Sequence, residues 1–247
     1  MAVDVKETVR ELVKRAVEAY MSEQAETTIT KSVKNKPSIT VLLSYQSTDP
    51  NSILKAVTEI KSSFQVRIVA SKEWKELLEG EEGVLPLDSA GYQELQALWT
   101  STDLLILPVA SFQLVSKLAM MLDDDRTTQT AIQFQLLGKP IVIVNNEVEL
   151  GVYQQILAPY SVQEKLQSYM RTTQKDQVKW VPLNQLVRTA IEQHNLYQEK
   201  QPLVLAKHIE RASTSKVKAL SVPKNSKITP IAKDMARELK IQIQKET

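Results

Sequence analysis

The chain contains no cysteine. That single absence excludes disulfides, thiolate nucleophiles, iron–sulfur clusters and cysteine-bound zinc. Glycine is nearly as scarce: Gly80, Gly83, Gly91, Gly138 and Gly151 are the five present among 247 residues. No two of them form Gly-x-Gly, and none stands before Lys-Ser or Lys-Thr. A glycine-rich dinucleotide fingerprint and a P-loop are therefore excluded. Any phosphate bound here must be held by hydroxyls and helix N-termini instead. Aromatic residues make up 5% and the formal net charge is +2, which argues against a basic, aromatic-lined nucleic-acid surface. No apolar run approaches the roughly 20 residues that span a bilayer. The first residues interleave apolar side chains with Lys, Glu and Arg, unlike a secretory signal. A cytoplasmic protein without membrane or nucleic-acid partners is the expectation. The two histidines, His194 and His208, have no accompanying carboxylate motif, so no metal site is expected.

What is present is a regular alternation. Residues 1–21 read as an amphipathic helix, with Val5, Val9, Leu12, Val13, Ala16, Val17 and Tyr20 at helical spacing. Residues 22–36 are polar and read as a linker. From residue 37 to 198, short apolar runs alternate with helical patterns. The strand candidates are Ile39–Ser44, Val66–Ala70, Val84–Leu87, Leu104–Pro108 and Pro140–Val144, with a further one at Lys179–Pro182. Between them lie helical stretches from Pro50 to Ser63, Lys72 to Leu78, Tyr92 to Thr100, Ser111 to Leu122 and Thr127 to Leu137. Later helices are expected near Gln163–Met170 and Leu183–Leu196. Strands alternating with helices of this length imply βαβ units and a parallel sheet. Near-continuous apolar runs indicate strands covered on both faces. The fold class is therefore α/β: a Rossmann-like, three-layer parallel sheet with helices on both faces, plus N- and C-terminal helical extensions. Residues 199–247 form the second extension. Lys200–Lys227 is basic and weakly periodic, no internal repeat is evident, and a last helix starts at Thr229-Pro230, with Thr as N-cap and Pro in the first turn.

In open parallel sheets, ligands bind beyond the carboxyl ends of the strands. Three loops sit there: Ser44-Tyr45-Gln46-Ser47-Thr48-Asp49, Ala70-Ser71-Lys72 and Pro108-Val109-Ala110-Ser111-Phe112-Gln113. Each presents a hydroxyl where a strand passes into a helix, and a helix N-terminus favours an anion. Taken singly, Ser47, Ser71 and Ser111 are adequately explained as N-caps. Three on one sheet edge point to a phosphorylated ligand. The acidic run Asp123-Asp124-Asp125 reads as a solvated helix end rather than a cation site, and Trp74, Trp99 and Trp180 read as packing residues.

The segment Pro108-Val-Ala-Ser-Phe-Gln-Leu-Val-Ser-Lys-Leu-Ala119, with Thr102-Asp103-Leu-Leu-Ile-Leu107 before it and Leu137-Gly-Lys-Pro-Ile-Val-Ile143 after it, resembles the flavin-containing cysteine decarboxylase family. The resemblance spans about Ile39 to Glu147. It implies a flavin mononucleotide (FMN) cofactor, a homotrimer or assembly of trimers, and a site in which Ala110, Ser111 and Gln113 meet the flavin or its ribityl phosphate. Ser44, Tyr45, Gln46, Ser47 and Ser71 would contribute from the neighbouring loops, and Pro108 and Phe112 complete the third. Two departures matter. Both histidines lie outside the matched region, where the family carries an active-site His, and the stretch after the last strand is Val144-Asn-Asn-Glu147. The resemblance thus implies flavin binding without cysteine decarboxylation, and no catalytic residue is assigned.

The tail Lys224-Asn-Ser-Lys-Ile-Thr-Pro-Ile-Ala-Lys-Asp-Met-Ala-Arg-Glu-Leu-Lys-Ile241 resembles segments carried by proteins of bacterial microcompartment operons. The N-terminal helix resembles an encapsulation peptide, although an ordinary packing helix explains it equally well. These likenesses imply electron transfer or a flavin-dependent reductase role inside a microcompartment, with shell or enzyme partners. Two alternatives stay open: a flavin-dependent decarboxylase or lyase with a non-standard base, and a non-catalytic cargo or assembly protein.

Overall fold

A strand buried on both faces needs apolar side chains pointing both ways, and the apolar runs of this chain supply them. The computed structural model describes residues 36–78 and 80–245; the predicted N-terminal helix and nearly all of the linker lie outside the described residues. The chain divides after Ala190 into two units.

In the first unit, β1 (Ser38–Leu43), β2 (Gln65–Ala70), β3 (Leu85–Pro86), β4 (Leu105–Leu107), β5 (Ile141–Val144) and β6 (Val178–Val181) form one sheet in the order β3-β2-β1-β4-β5-β6. Every pairing is parallel. Side chains alternate between two cores, as the period of two requires. Ile39, Val41, Leu43, Ile68, Ile106 and Val142 face one side, packed by Ile53, Val57 and Ile60 of α1 (Pro50–Ser63) and Trp74 of α2 (Lys72–Leu77). Leu42, Val69, Leu105, Leu107, Ile141 and Ile143 face the other. That side is covered by α3 (Tyr92–Ser101), α4 (Phe112–Ala119) and α5 (Arg126–Leu136) through Leu95, Leu98, Leu114, Leu118 and Phe134. The three-layer expectation holds.

Boundaries differ where local chemistry overrides periodicity. α4 stops at Ala119 rather than near Leu122. Met121 adopts φ 55° and the Leu122 N–H donates to the Lys117 carbonyl at 2.9 Å, a Schellman termination on a non-glycine residue. α5 ends as anticipated at Gly138, whose φ of 66° suits a residue without Cβ. Further along, α6 (Val152–Leu157) was not anticipated, and α7 (Tyr160–Lys175) extends beyond the predicted turn on both sides. The 3₁₀ turn Leu183–Gln185 leads into α8 (Leu186–Glu199), within which the unit boundary falls.

Residues 191–245 belong to the second unit, which adds short strands to the helices expected of the C-terminal extension and has a structural repeat that is not evident in the sequence. Its elements after α8 are β7 (Leu203–Val204), α9 (Ala206–Thr214), β8 (Ala219–Val222), β9 (Lys227–Ile228), α10 (Pro230–Glu238) and β10 (Gln242–Lys245). The order β-α-β occurs twice. β7 pairs parallel with β9, and β8 with β10. Both helices end alike: Lys216 has φ 56° and Lys240 φ 55°, while Val217 N–H donates to Ala212 at 2.9 Å and Ile241 N–H to Ala236 at 2.8 Å. Ile209, Ala212, Ala232, Ala236 and Ile241 form their shared core. Strands of two to four residues carry too few alternating positions for a sequence pattern to register. The final helix does begin as expected, Thr229 accepting from the Ala232 N–H at 3.3 Å.

Candidate functional site

Strand order reverses between β1 and β4: from β1 the chain moves outward to β2 and β3, and from β4 outward to β5 and β6. The crevice at such a switch point is where open α/β sheets bind ligands. The loops that flank it are Ser44–Asp49 after β1 and Pro108–Ser111 after β4, with Ser71 after β2 next along the edge. The three predicted loops therefore share one edge.

Tyr45 sits in the crevice. Its carbonyl accepts from Trp74 Nε1 at 2.6 Å, and its phenol lies beside Ser111. Burial pushes this phenol up to about 12, reinforced by the negative charge of Asp125. Because the folded value exceeds the ordinary value of 10.0, the neutral phenol stabilises the fold fully below about pH 10, and that contribution is lost as the pH rises toward 12. Urea unfolding across this window should show the stability difference between wild type and Tyr45→Phe shrinking as alkalinity increases. A constant difference would mean that Tyr45 titrates as a solvent-facing phenol.

The hydroxyls are mostly engaged within the chain. Ser111 Oγ accepts from the Leu114 N–H at 3.1 Å, capping α4. Ser71, 7% exposed, does not cap α2; it donates to Glu73 Oε2 at 2.7 Å. Ser47 Oγ donates to Glu147 Oε1 at 2.9 Å, joined there by the Thr48 N–H at 2.7 Å and Thr48 Oγ1 at 2.9 Å. Burial alone would raise the Glu147 carboxyl, but these three donors outweigh it and hold it below its ordinary value. Asp49, not Ser47, caps α1, accepting from Ser52 N–H at 3.2 Å. Two buried polar atoms at the strand ends lack a partner: Ser44 Oγ after β1 and Asn145 Oδ1 after β5. They lie on the strands to either side of β4.

Pro108 and Ala110 are buried, Gln46 is exposed, and Phe112 and Gln113 face outward at the start of α4. These last two line a cavity of about 720 Å³ together with Leu150, Leu157, Leu166 and Tyr169. Its wall is apolar, and α6 beside it buries no residue at all. Val152, Tyr153, Ile156, Leu157 and Tyr160 are each at least 70% exposed. The acidic run is more structured than a solvated helix end: Lys117 pairs with Asp124 and Asp125 at 2.7 Å each, and Asp125 caps α5 through the Thr128 N–H at 2.8 Å. These bonds raise the Lys117 ammonium above its ordinary value, Asp124 contributing most. The three tryptophans find partners inside the chain, Trp99 on Thr130 and Trp180 on Thr173. His208 Nδ1 accepts from the Leu205 N–H at 3.1 Å, and His194 is buried beside Gln198. Among the described residues no group of three or more His, Asp or Glu is placed to hold a metal ion, and no helix is long and apolar enough to cross a membrane.

Glu147, Thr48 and Asn145 are the site residues that sequence reasoning did not assign. Glu147 reaches donors 99 and 100 positions away, so no local pattern marks it.

No protein-family model matches the sequence, and no curated protein does. Solved structures do share its architecture. The FMN-dependent cysteine decarboxylase TvaF from thioviridamide biosynthesis superposes with a TM-score of 0.50 at 12% identity, over 65% of this chain and 99% of that one. DmrB from Burkholderia xenovorans, described as a cubic protein cage for redox transfer, gives a TM-score of 0.48 at 15% identity over 74% and 99%. A phenylacrylic acid decarboxylase from Aquifex aeolicus gives 0.45 at 15% identity over 63% and 95%. At these identities the likeness concerns the fold alone, and the first of the three carries it. The six-stranded unit of this chain has the fold of the flavin-dependent cysteine decarboxylases.

Proposed function

We propose that the chain binds flavin mononucleotide at the β1/β4 switch point and serves in electron transfer or as a flavin-dependent reductase. The observation that carries this reading is the meeting of the Tyr45 and Ser111 loops at the strand-order reversal, flanked by the enclosed, unpartnered Ser44 hydroxyl and Asn145 carbonyl. A buried polar atom without a partner costs about 1–3 kcal/mol, which a polar ligand group would recover. Ser44, Tyr45, Gln46, Ser47 and Ser71 would hold the phosphate end; Pro108, Ala110, Ser111, Phe112 and Gln113 would meet the ring. Fit is favourable at Ser44 and Asn145 and conditional at Ser47, whose hydroxyl already has a partner. When bound, the flavin would supply the redox chemistry, and the chain's own residues would set its position and exclude water.

A homo-oligomer accords with the bare apolar face of α6, since exposed apolar patches of this kind mark interaction surfaces. Microcompartment association is the finer part of the proposal and rests on the tail resemblance. The test of the whole reading is the visible spectrum of the purified protein, as isolated and after incubation with FMN and gel filtration. Yellow protein with flavin absorbance in the protein peak is expected. A peak colourless under both conditions would favour the second reading, a non-catalytic assembly protein, which the internal partners of Ser47 and Ser71 support.

A further inference from the structure

The Ser47-Thr48 turn gathers three donors onto one atom. Ser47 Oγ at 2.9 Å, Thr48 N at 2.7 Å and Thr48 Oγ1 at 2.9 Å all converge on Glu147 Oε1. Ser47 Oγ is itself oriented by the Asp49 N–H at 3.1 Å. Donors arranged around a single anionic oxygen, with one backbone N–H among them, are the arrangement that holds a phosphoryl oxygen. Here the anion comes from the chain itself. It arrives on the β5–α6 loop, two residues after Asn145, whose enclosed Oδ1 has no partner, and it contacts the β1–α1 loop, three residues after Ser44, whose enclosed Oγ has none either. The two loops, which follow the strands on either side of β4, are thus tied by one carboxylate, and each carries an enclosed polar atom left unsatisfied.

We propose that Glu147 is the specificity residue of this site: it occupies the phosphate position, and a phosphorylated ligand binds only by displacing it. The inference rests on the flavin reading above and adds to it which group the phosphate must replace. Displacement exchanges one anion for another on the same donors. The ligand's net gain is therefore small at the Ser47 and Thr48 donors and is made elsewhere, at Ser44, Asn145 and the ring-facing loop. A flavin lacking the phosphate has no need to move Glu147. The charge of Glu147 should thus act against FMN and leave riboflavin untouched.

The test is a fluorescence titration of the full chain with FMN and with riboflavin, for wild type, Glu147→Gln and the triple variant Ser47→Ala, Thr48→Val, Glu147→Gln. Glutamine keeps the shape and an acceptor oxygen, so the loop stays folded; circular dichroism and the unfolding midpoint check this. Loss of a charge-assisted bond to the donors should tighten FMN by about tenfold in Glu147→Gln and shift riboflavin by less than about twofold. The triple variant should forfeit that gain. FMN binding by Glu147→Gln alone, with none by wild type, would support the proposal in its strongest form. Equal FMN affinity in wild type and Glu147→Gln, or a parallel change for both flavins, would overturn it while leaving flavin binding intact. Failure of every variant to bind either flavin would sink the flavin reading and this inference together.

Discussion

Replacing Lys139 with methionine should lower the stability of the first unit by about 3 kcal/mol, because leaving buried acceptors unsatisfied costs ~1–3 kcal/mol each. Lys139 is 8% exposed. Its ammonium donates to three carbonyls at the end of α3: Trp99 at 2.6 Å, Thr100 at 3.1 Å and Thr102 at 2.5 Å. The last carbonyls of a helix have no intrahelical donor, and here one side chain from the turn before β5 serves two of them and the C-cap carbonyl of Thr102. Burial pulls the ammonium below its ordinary value, partly opposed by Asp103. Methionine matches the stem and removes the donors, so packing against Phe134, whose ring lies 5.9 Å from the Lys139 Nζ, changes little. The measurement is urea unfolding followed by circular dichroism. Desolvating a charge opposes the gain from its hydrogen bonds, and the two terms are separable: an unchanged midpoint would mean that burying the ammonium costs as much as its bonds return.

The second large effect concerns the ligand. Ser111→Asp should weaken flavin binding on the order of a hundredfold or more, by placing a larger, charged side chain in the loop that would meet the ring. Aspartate is among the best N-caps, and it can accept from the Leu114 N–H as Ser111 does. The substitution therefore tests the site with α4 intact, which Ser111→Ala does not, since losing a cap costs about 1 kcal/mol. Flavin titration against an unchanged thermal midpoint is the measurement. Flavin binding retained in a stably folded Ser111→Asp would place the ligand away from this loop.

These two positions differ in how they could be read. Ser111 was legible because a hydroxyl at the end of an apolar strand and the start of an amphipathic helix is a local pattern. The same holds for Thr229 before Pro230 and for Gly138 after α5. Lys139 was visible only as part of a turn, since its three acceptors lie 37 to 40 positions earlier in the chain. α6 escaped notice because it buries nothing, and periodicity reports burial. The paired β-α-β units of residues 200–245 escaped because their strands are too short to alternate.

Composition and local order thus determined the class of this protein. The absence of cysteine and of glycine pairs removed whole chemistries, and alternating apolar runs and helical stretches required a covered parallel sheet. Which strands neighbour one another was decided only in three dimensions, because strand order follows from long-range pairing that leaves no local trace. That order placed the Tyr45 and Ser111 loops together at the crevice. It also brought Glu147 onto Ser47 and Thr48. The expected phosphate-holding edge is thereby a set of hydroxyls most of which already have partners inside the chain.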